Sequence, residues 1–253
     1  MLTSYDFGGD IDALAHSDII RQATVPWWHF GVPQETAAKS ATTARVVPDT
    51  LRHVPLEWFM LFYVCGAGGA GKSACLGALR ELEPEVSWWE FDDVGVPEHP
   101  DKRWRQRAME TWVRRALAKQ ETGRDSGLCG QGSYGELLAA PSAHLLDGVV
   151  ACLLDVRDVE RVDRLRSRGS SEAASQEMLN WAAWNRMHAV DPQWRQDVIM
   201  DGGEPDMRWE RWRDWQRGDP RWCVTTLDTT DSSIDQVAQR LRDWRRGKPP
   251  ADE

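Results

Sequence analysis

Apolar positions fall into regular patterns from about residue 57 onward. Residues 58–65 read Trp-Phe-Met-Leu-Phe-Tyr-Val-Cys without a polar break, as in a strand buried on both faces. A glycine-rich turn follows, and then Leu76, Leu79 and Leu82 at helical spacing predict a helix over Lys72–Leu82. Residues 86–92 alternate like a second strand, with Asp92 continuing the alternation. From Asp101 to Gln120, Trp104, Ala108, Trp112 and Ala116 share one helical face. A short third strand is expected at Ser126–Gly130 and a fourth at Gly148–Asp155, followed by an arginine-rich helix over Val159–Arg168. Helices are predicted over Ser171–Val190 and Asp206–Gln216, then a fifth strand over Trp222–Leu227 and a last helix over Ser233–Arg245.

Strands alternating with helices imply right-handed crossovers and an α/β three-layer sandwich around a central parallel five-stranded sheet. The first 55 residues have weak periodicity. Within them, Pro26 to Pro33 encloses Trp27, Trp28 and Phe30, an aromatic knot expected to pack on the body of the protein. The expected organisation is an N-terminal extension over 1–55, an α/β domain over 56–246 with a helical insert at 171–220, and a disordered tail over 247–253.

Composition narrows this picture. The longest apolar run is eight residues, far below the roughly 20 needed for a membrane span. The first six residues have neither a basic nor an apolar region of the export type, so a soluble cytoplasmic protein is expected. Cys65, Cys75, Cys129, Cys152 and Cys223 form no metal-binding spacing and are expected to be reduced and mostly buried. The net charge of −9 argues against general nucleic-acid binding. It conceals a segment, 101–124, with eight Lys/Arg against three acids, a net of +5 that leaves −14 elsewhere. That segment is either a solvated helix face or a docking surface for an acceptor bearing phosphate or carboxylate.

The decisive motif is Gly66-Ala67-Gly68-Gly69-Ala70-Gly71-Lys72-Ser73, followed by Ala74, which fits G-x-x-x-x-G-K-[ST] in full. Its glycines let successive N–H groups curl around phosphate oxygens, and the following helix adds the positive end of its dipole. Lys72 is placed to reach the β- and γ-phosphates, and Ser73 to coordinate Mg²⁺. The motif is flanked by a buried strand and a helix, as a nucleoside-triphosphate site requires. Neither Asn180 nor Asn185 begins an N-K-x-D guanine reader, and the third strand does not end in the Asp-Glu of mechanical ATPases. Acids stand instead at the end of the second strand, where Asp93 or Asp92 can act as general base and Asp92 can hold a metal-bound water. Asp93 is slightly favoured as base.

The phosphate loop, the Asp92-Asp93 pair and the run Ala151–Asp155 leading to Arg161, Arg164, Arg166 and Arg168 resemble the P-loop small-molecule and nucleoside kinases. That group contains gluconate kinase, shikimate kinase, the chloramphenicol phosphotransferases and the nucleotide kinases. The resemblance spans roughly residues 58–244 and implies ATP and Mg²⁺ as cofactors. Arginines after the fourth strand would clamp the ATP phosphates, a role that Arg164 and Arg168 match best at i and i+4. It also places the acceptor near Gln131, Tyr134 and Glu136, beside Arg105. Gly130-Gln131-Gly132 replaces the Asp-Gly expected of nucleotide kinases.

A further cluster, from Trp181 to Trp222, holds seven of the fifteen tryptophans. Interleaved with arginines, they can form the insert's own core or stack nucleic-acid bases, and core packing is the expectation. The reading reached from sequence is an ATP- and Mg²⁺-dependent phosphotransferase acting on a hydroxyl of a sugar, nucleoside or antibiotic-like metabolite. A nucleotide or polynucleotide 5′-kinase and a non-catalytic nucleotide-binding regulator stand as alternatives. Oligomeric state is left open.

Overall fold

The first strand, β1 (Met60–Cys65), sends alternate side chains into two different cores. Leu61, Tyr63 and Cys65 enter one, while Phe62 and Val64 enter the other. Both faces of the strand are covered, so its sequence shows no polar alternation. The structure, a computed structural model, describes residues 58–247. The expected N-terminal extension with its aromatic knot and nearly all of the tail lie outside the described residues.

Four further strands complete an all-parallel sheet in the order β2-β3-β1-β4-β5: β2 (Ser87–Glu90), β3 (Ser126–Gly130), β4 (Gly148–Asp155) and β5 (Val224–Asp228). On one face lie α1 (Lys72–Leu82) and α7 (Ile234–Arg245), burying Leu76, Leu79, Val237 and Leu241 around Phe62 and Trp88. On the other lie α2 (Lys102–Gln120) and α3 (Tyr134–Ala139). There Met109, Trp112 and Val113 of α2 are 0–1% exposed. This is an α/β three-layer sandwich around a parallel five-stranded sheet, as expected.

The connection from β4 to β5 carries α4 (Asp158–Ser167), α5 (Gln176–Val190) and α6 (Asp197–Met200). Two expectations fail in detail. Residues 206–216 do not form a helix, only a 3₁₀ turn at Trp209–Arg211. Trp209, Trp212 and Trp215 recur every three residues, which suits a tight turn better than a 3.6-residue period. The Arg208 amide donates to the Ala139 carbonyl at 2.7 Å, and the Trp212 indole donates to Gly135 at 2.9 Å, so tertiary partners replace helical ones. Second, the chain leaves the strand after Glu90: Asp92 and Asp93 sit in a 3₁₀ turn over Phe91–Val94 and do not continue the strand alternation.

The tryptophan-rich segment is core, as expected, but it shares the core of the sheet and does not form one of its own. Trp184, Trp212, Trp215 and Trp222 are 0–7% exposed and join the cluster under α2 and α3. All five cysteines are free thiols, four of them buried. No helix among the described residues is long and apolar enough to cross a membrane.

Candidate active site

The loop between β1 and α1 is shaped by glycine where no other residue fits. Gly66 has φ +148, and a Cβ there would collide with the Leu154 carbonyl of β4. Gly69 has φ +79 and would bring a Cβ to 3.0 Å from the Arg161 side chain. The loop is therefore pressed against the sheet edge on one side and α4 on the other. From Gly68 to Ala74 it lines a cavity of about 620 Å³.

Two residues brace this loop. Arg161, whose side chain is fully buried, donates to the Gly68 carbonyl at 2.8 Å and to Asp155 at the end of β4 at 2.6 Å. Thr229, just after β5, donates through its hydroxyl to the Ala70 carbonyl at 3.1 Å. Arg164 grips the same region, donating to the Thr229 and Thr230 carbonyls at 2.7 and 2.9 Å and to Glu160 at 2.9 Å. Arg164 lines the cavity, but each of its nitrogens already has a partner. Arg168, four residues on, is exposed, and its guanidinium makes no hydrogen bond or ion pair among the described residues.

Lys72 is 6% exposed, and its ammonium donates to the Ala67 carbonyl at 3.0 Å. Burial lowers its pKa to about 8, against the opposing pull of the neighbouring thiols and Glu90. Ser73 lines the same cavity and hydrogen-bonds Glu90, the last residue of β2. Desolvation raises the Glu90 carboxyl above its ordinary value, with Asp92 and Asp93 adding to the rise and the Ser73 bond and Lys72 opposing it.

A second cavity of about 1200 Å³ lies beside the first, between α2 and α5. Gly68, Asp92, Gln131 and Arg168 line both. Asp92 is thus at the junction, whereas Asp93, favoured from sequence as base, lines neither cavity. In the 3₁₀ turn, successive side chains point in different directions.

The residues expected on the acceptor side separate. Gln131 is exposed at the junction, and Arg105 lines the larger cavity. Tyr134 is 5% exposed, edge-on to Trp222 with ring centroids 5.2 Å apart, and lines neither cavity. Glu136 is fully buried; it accepts from Arg105 Nε at 3.0 Å and Nη2 at 2.7 Å and closes a capping box with Ser133 at the start of α3. Tyr134 is therefore a core residue, and Glu136 is a buried counter-ion that fixes Arg105.

Sequence reasoning passed over Glu90 as a site residue and did not single out Arg161 among the arginines. Glu90 had a visible signal, an acid at a strand's carboxyl end two residues before Asp92. Arg161 had none, since the loop carbonyl it holds, that of Gly68, is far away in sequence.

The donor set suits a hard divalent cation bound together with phosphates. Ser73, Glu90 and Asp92 offer hydroxyl and carboxylate oxygens on one wall of the loop cavity. Magnesium characteristically uses one or two carboxylates and completes its shell with water and substrate phosphates. Among the described residues, no group of three or more His, Cys, Asp or Glu is arranged to hold a metal by itself.

No family model and no curated protein matches the chain. Solved structures do. A sugar kinase from Janibacter sp. HTCC2649 matches at 14% identity and TM-score 0.46, covering 74% of this chain and 95% of its own. The shikimate kinase of Acinetobacter baumannii, in complex with shikimate, matches at 13% and 0.42, covering 75% and 94%. The thymidylate kinase of Candida albicans matches at 11% and 0.45, covering 78% and 96%.

Proposed function

We propose that the protein transfers the γ-phosphoryl group of ATP to a hydroxyl of a small-molecule acceptor. The observation that carries this reading is the junction: the phosphate-loop cavity opens into a larger one at Gly68, Asp92, Gln131 and Arg168. A donor in one and an acceptor in the other would meet at a carboxylate and an unpaired guanidinium.

The loop amides and Lys72 hold the β- and γ-phosphates, and Ile234, Val237 and Ser233 offer the nucleoside a mixed apolar and polar wall. Ser73 and Glu90 would hold Mg²⁺, which neutralises phosphate charge in transfer, and this leaves the Asp92 carboxylate to the acceptor. Asp92 accepts the proton of the acceptor hydroxyl as its oxygen attacks phosphorus, and Gln131 orients that hydroxyl. Arg168 follows the migrating charge, free to do so because nothing else occupies its donors. Arg161 and Thr229 act on the loop's position, and Arg164 on the loop after β5.

The test compares two neighbouring variants by calorimetry and by transfer of labelled phosphate. Asp92→Asn is expected to bind ATP nearly as tightly as the wild type and to lose transfer by roughly 10²-fold or more. Asp93→Asn is expected to change transfer less than about threefold, since exposed groups outside a site have small effects. Equal losses in both, or a loss confined to Asp93→Asn, would contradict the assignment.

A further inference from the structure

The larger cavity has features that phosphoryl transfer alone does not explain. Among the exposed large apolar side chains, Val96 (48%), Met187 (46%) and Trp194 (39%) all line it. Exposed apolar surface gathered in one concavity marks a binding site. Trp104 and Trp181 line it too. Trp181 is already covered, with Arg105 5.0 Å from its ring centroid and Trp184 stacked at 4.9 Å and 10°. Trp194 has no ring or cation contact among the described residues and lines the cavity with its indole uncovered.

Two of the four cations lining this cavity are already ion-paired. Arg105 is paired with buried Glu136 and Arg195 with Asp197, both at 2.7 Å, while Lys102 donates to the Asp201 carbonyl at 2.7 Å and keeps its charge. Elsewhere in the basic segment Arg107 pairs with Glu204 and Arg114 with Glu110, both outside the cavity. Arg168 makes no ion pair among the described residues, and it stands at the transfer junction, where the donor's own charge needs it. Asp101 and Glu177 add negative charge to the wall. Lys102 and Arg168 are thus set against Asp92, Asp101 and Glu177, and a phosphate or carboxylate on the acceptor would meet no net positive charge. Of the three residues expected to hydrogen-bond a polyol, Tyr134 and Glu136 are withdrawn into the core and Gln131 alone lines the cavity.

We infer that the acceptor is an uncharged alcohol built on a flat aromatic ring, of which nucleosides and aryl alcohols are the two chemical sources. Its hydroxyl meets Asp92 and its ring lies against Trp194, with Met187 and Val96 closing the apolar wall. This inference rests on the transfer reading above and narrows its acceptor.

Four probes test it by calorimetry and labelled-phosphate transfer: thymidine, 2-phenylethanol, thymidine monophosphate and gluconate. Thymidine or 2-phenylethanol is expected to bind at least about tenfold more tightly than the two anions, the scale of one well-placed aromatic contact. Which of the two prevails decides between the sources. Trp194→Ala should raise KM for the preferred ring alcohol about tenfold and leave KM for ATP unchanged, and Trp194→Phe should restore it. An unchanged ATP affinity confirms that the variant folds, and Met187→Ala should move KM the same way. Tighter binding of either anion, no binding of either ring alcohol, or indifference to Trp194→Ala would overturn the inference. Ring alcohols that bind through Trp194 but receive no phosphate would uphold it and overturn the transfer reading. Transfer to gluconate that ignores Trp194 would do the reverse.

Discussion

Lys72 carries an ammonium group inside the protein with one carbonyl, that of Ala67, as its hydrogen-bond partner. Burial pulls its pKa from 10.5 to about 8. Between those values the unfolded chain binds more protons than the folded one, so this residue weakens the fold below pH 8 and the penalty lifts as pH rises. Phosphates arriving beside it supply the missing countercharge and favour the protonated form. ATP binding is therefore expected to take up protons at pH 8 and to weaken as the pH climbs further. Calorimetry at that pH, in two buffers of different ionisation enthalpy, reads the uptake directly, and identical apparent enthalpies would contradict it. At this scale the sequence was most informative for Lys72 and Ser73, because a phosphate loop is a local structure whose contacts lie within a few residues. It was least informative for the carboxylates. Asp92 and Asp93 are chemically alike, and only the 3₁₀ turn that follows β2 separates the one that lines both cavities from the one that lines neither.

The elements around the loop act through their ends. α4 reaches it through Arg161, whose guanidinium joins the Gly68 carbonyl to the Asp155 carboxylate at the tip of β4. Removing a buried ion-pair partner leaves the remaining charge under-compensated. Arg161→Ala is expected to destabilise the fold by about 3 kcal/mol, tempered by Arg186, which also contacts Asp155 at 3.3 Å. Chemical denaturation measures that loss, and a change below the error of the fit would show that Arg161 is not the brace. Most elements could be read from sequence because their periodicities are strong: the predicted Lys72–Leu82, Ser126–Gly130 and Gly148–Asp155 match α1, β3 and β4. The helix expected over residues 206–216 failed for the converse reason. Its tryptophans are held by partners on α3 and the following segment, and those long-range contacts override the local pattern.

Across the whole molecule, the tryptophan segment joins the acceptor cavity to the core. Arg105, Trp181, Trp184 and His188 form a continuous stack, with Trp184 and His188 centroids 4.4 Å apart, ending edge-on to Trp212 and Trp222. His188 is 2% exposed, and burial lowers its pKa to about 4, against the pull of Glu136 and Asp191. From pH 6.5 down to about 4 the unfolded chain gains a proton on this residue that the folded one does not. Stability should therefore fall with acidification across that window, by up to about 3 kcal/mol from this group. Denaturant unfolding at several pH values measures the slope. His188→Phe should flatten it, and a slope equal to that of the wild type would locate the acid sensitivity elsewhere.

The sequence by itself determined the phosphate loop, the parallel α/β order and the presence of acids at a strand end, since each is written in local spacing and periodicity. Tertiary structure alone decided which acid faces the acceptor, which arginine is left free and which residues line the acceptor cavity. Those outcomes depend on pairings between residues far apart in the chain: Arg105 with Glu136, Arg164 with Thr229, Lys102 with Asp201. The +5 segment, open from sequence to a charged acceptor, is largely spent on such pairings. What remains to face the cavity is largely indole and aliphatic surface, and no pattern of charge along the chain could have shown that.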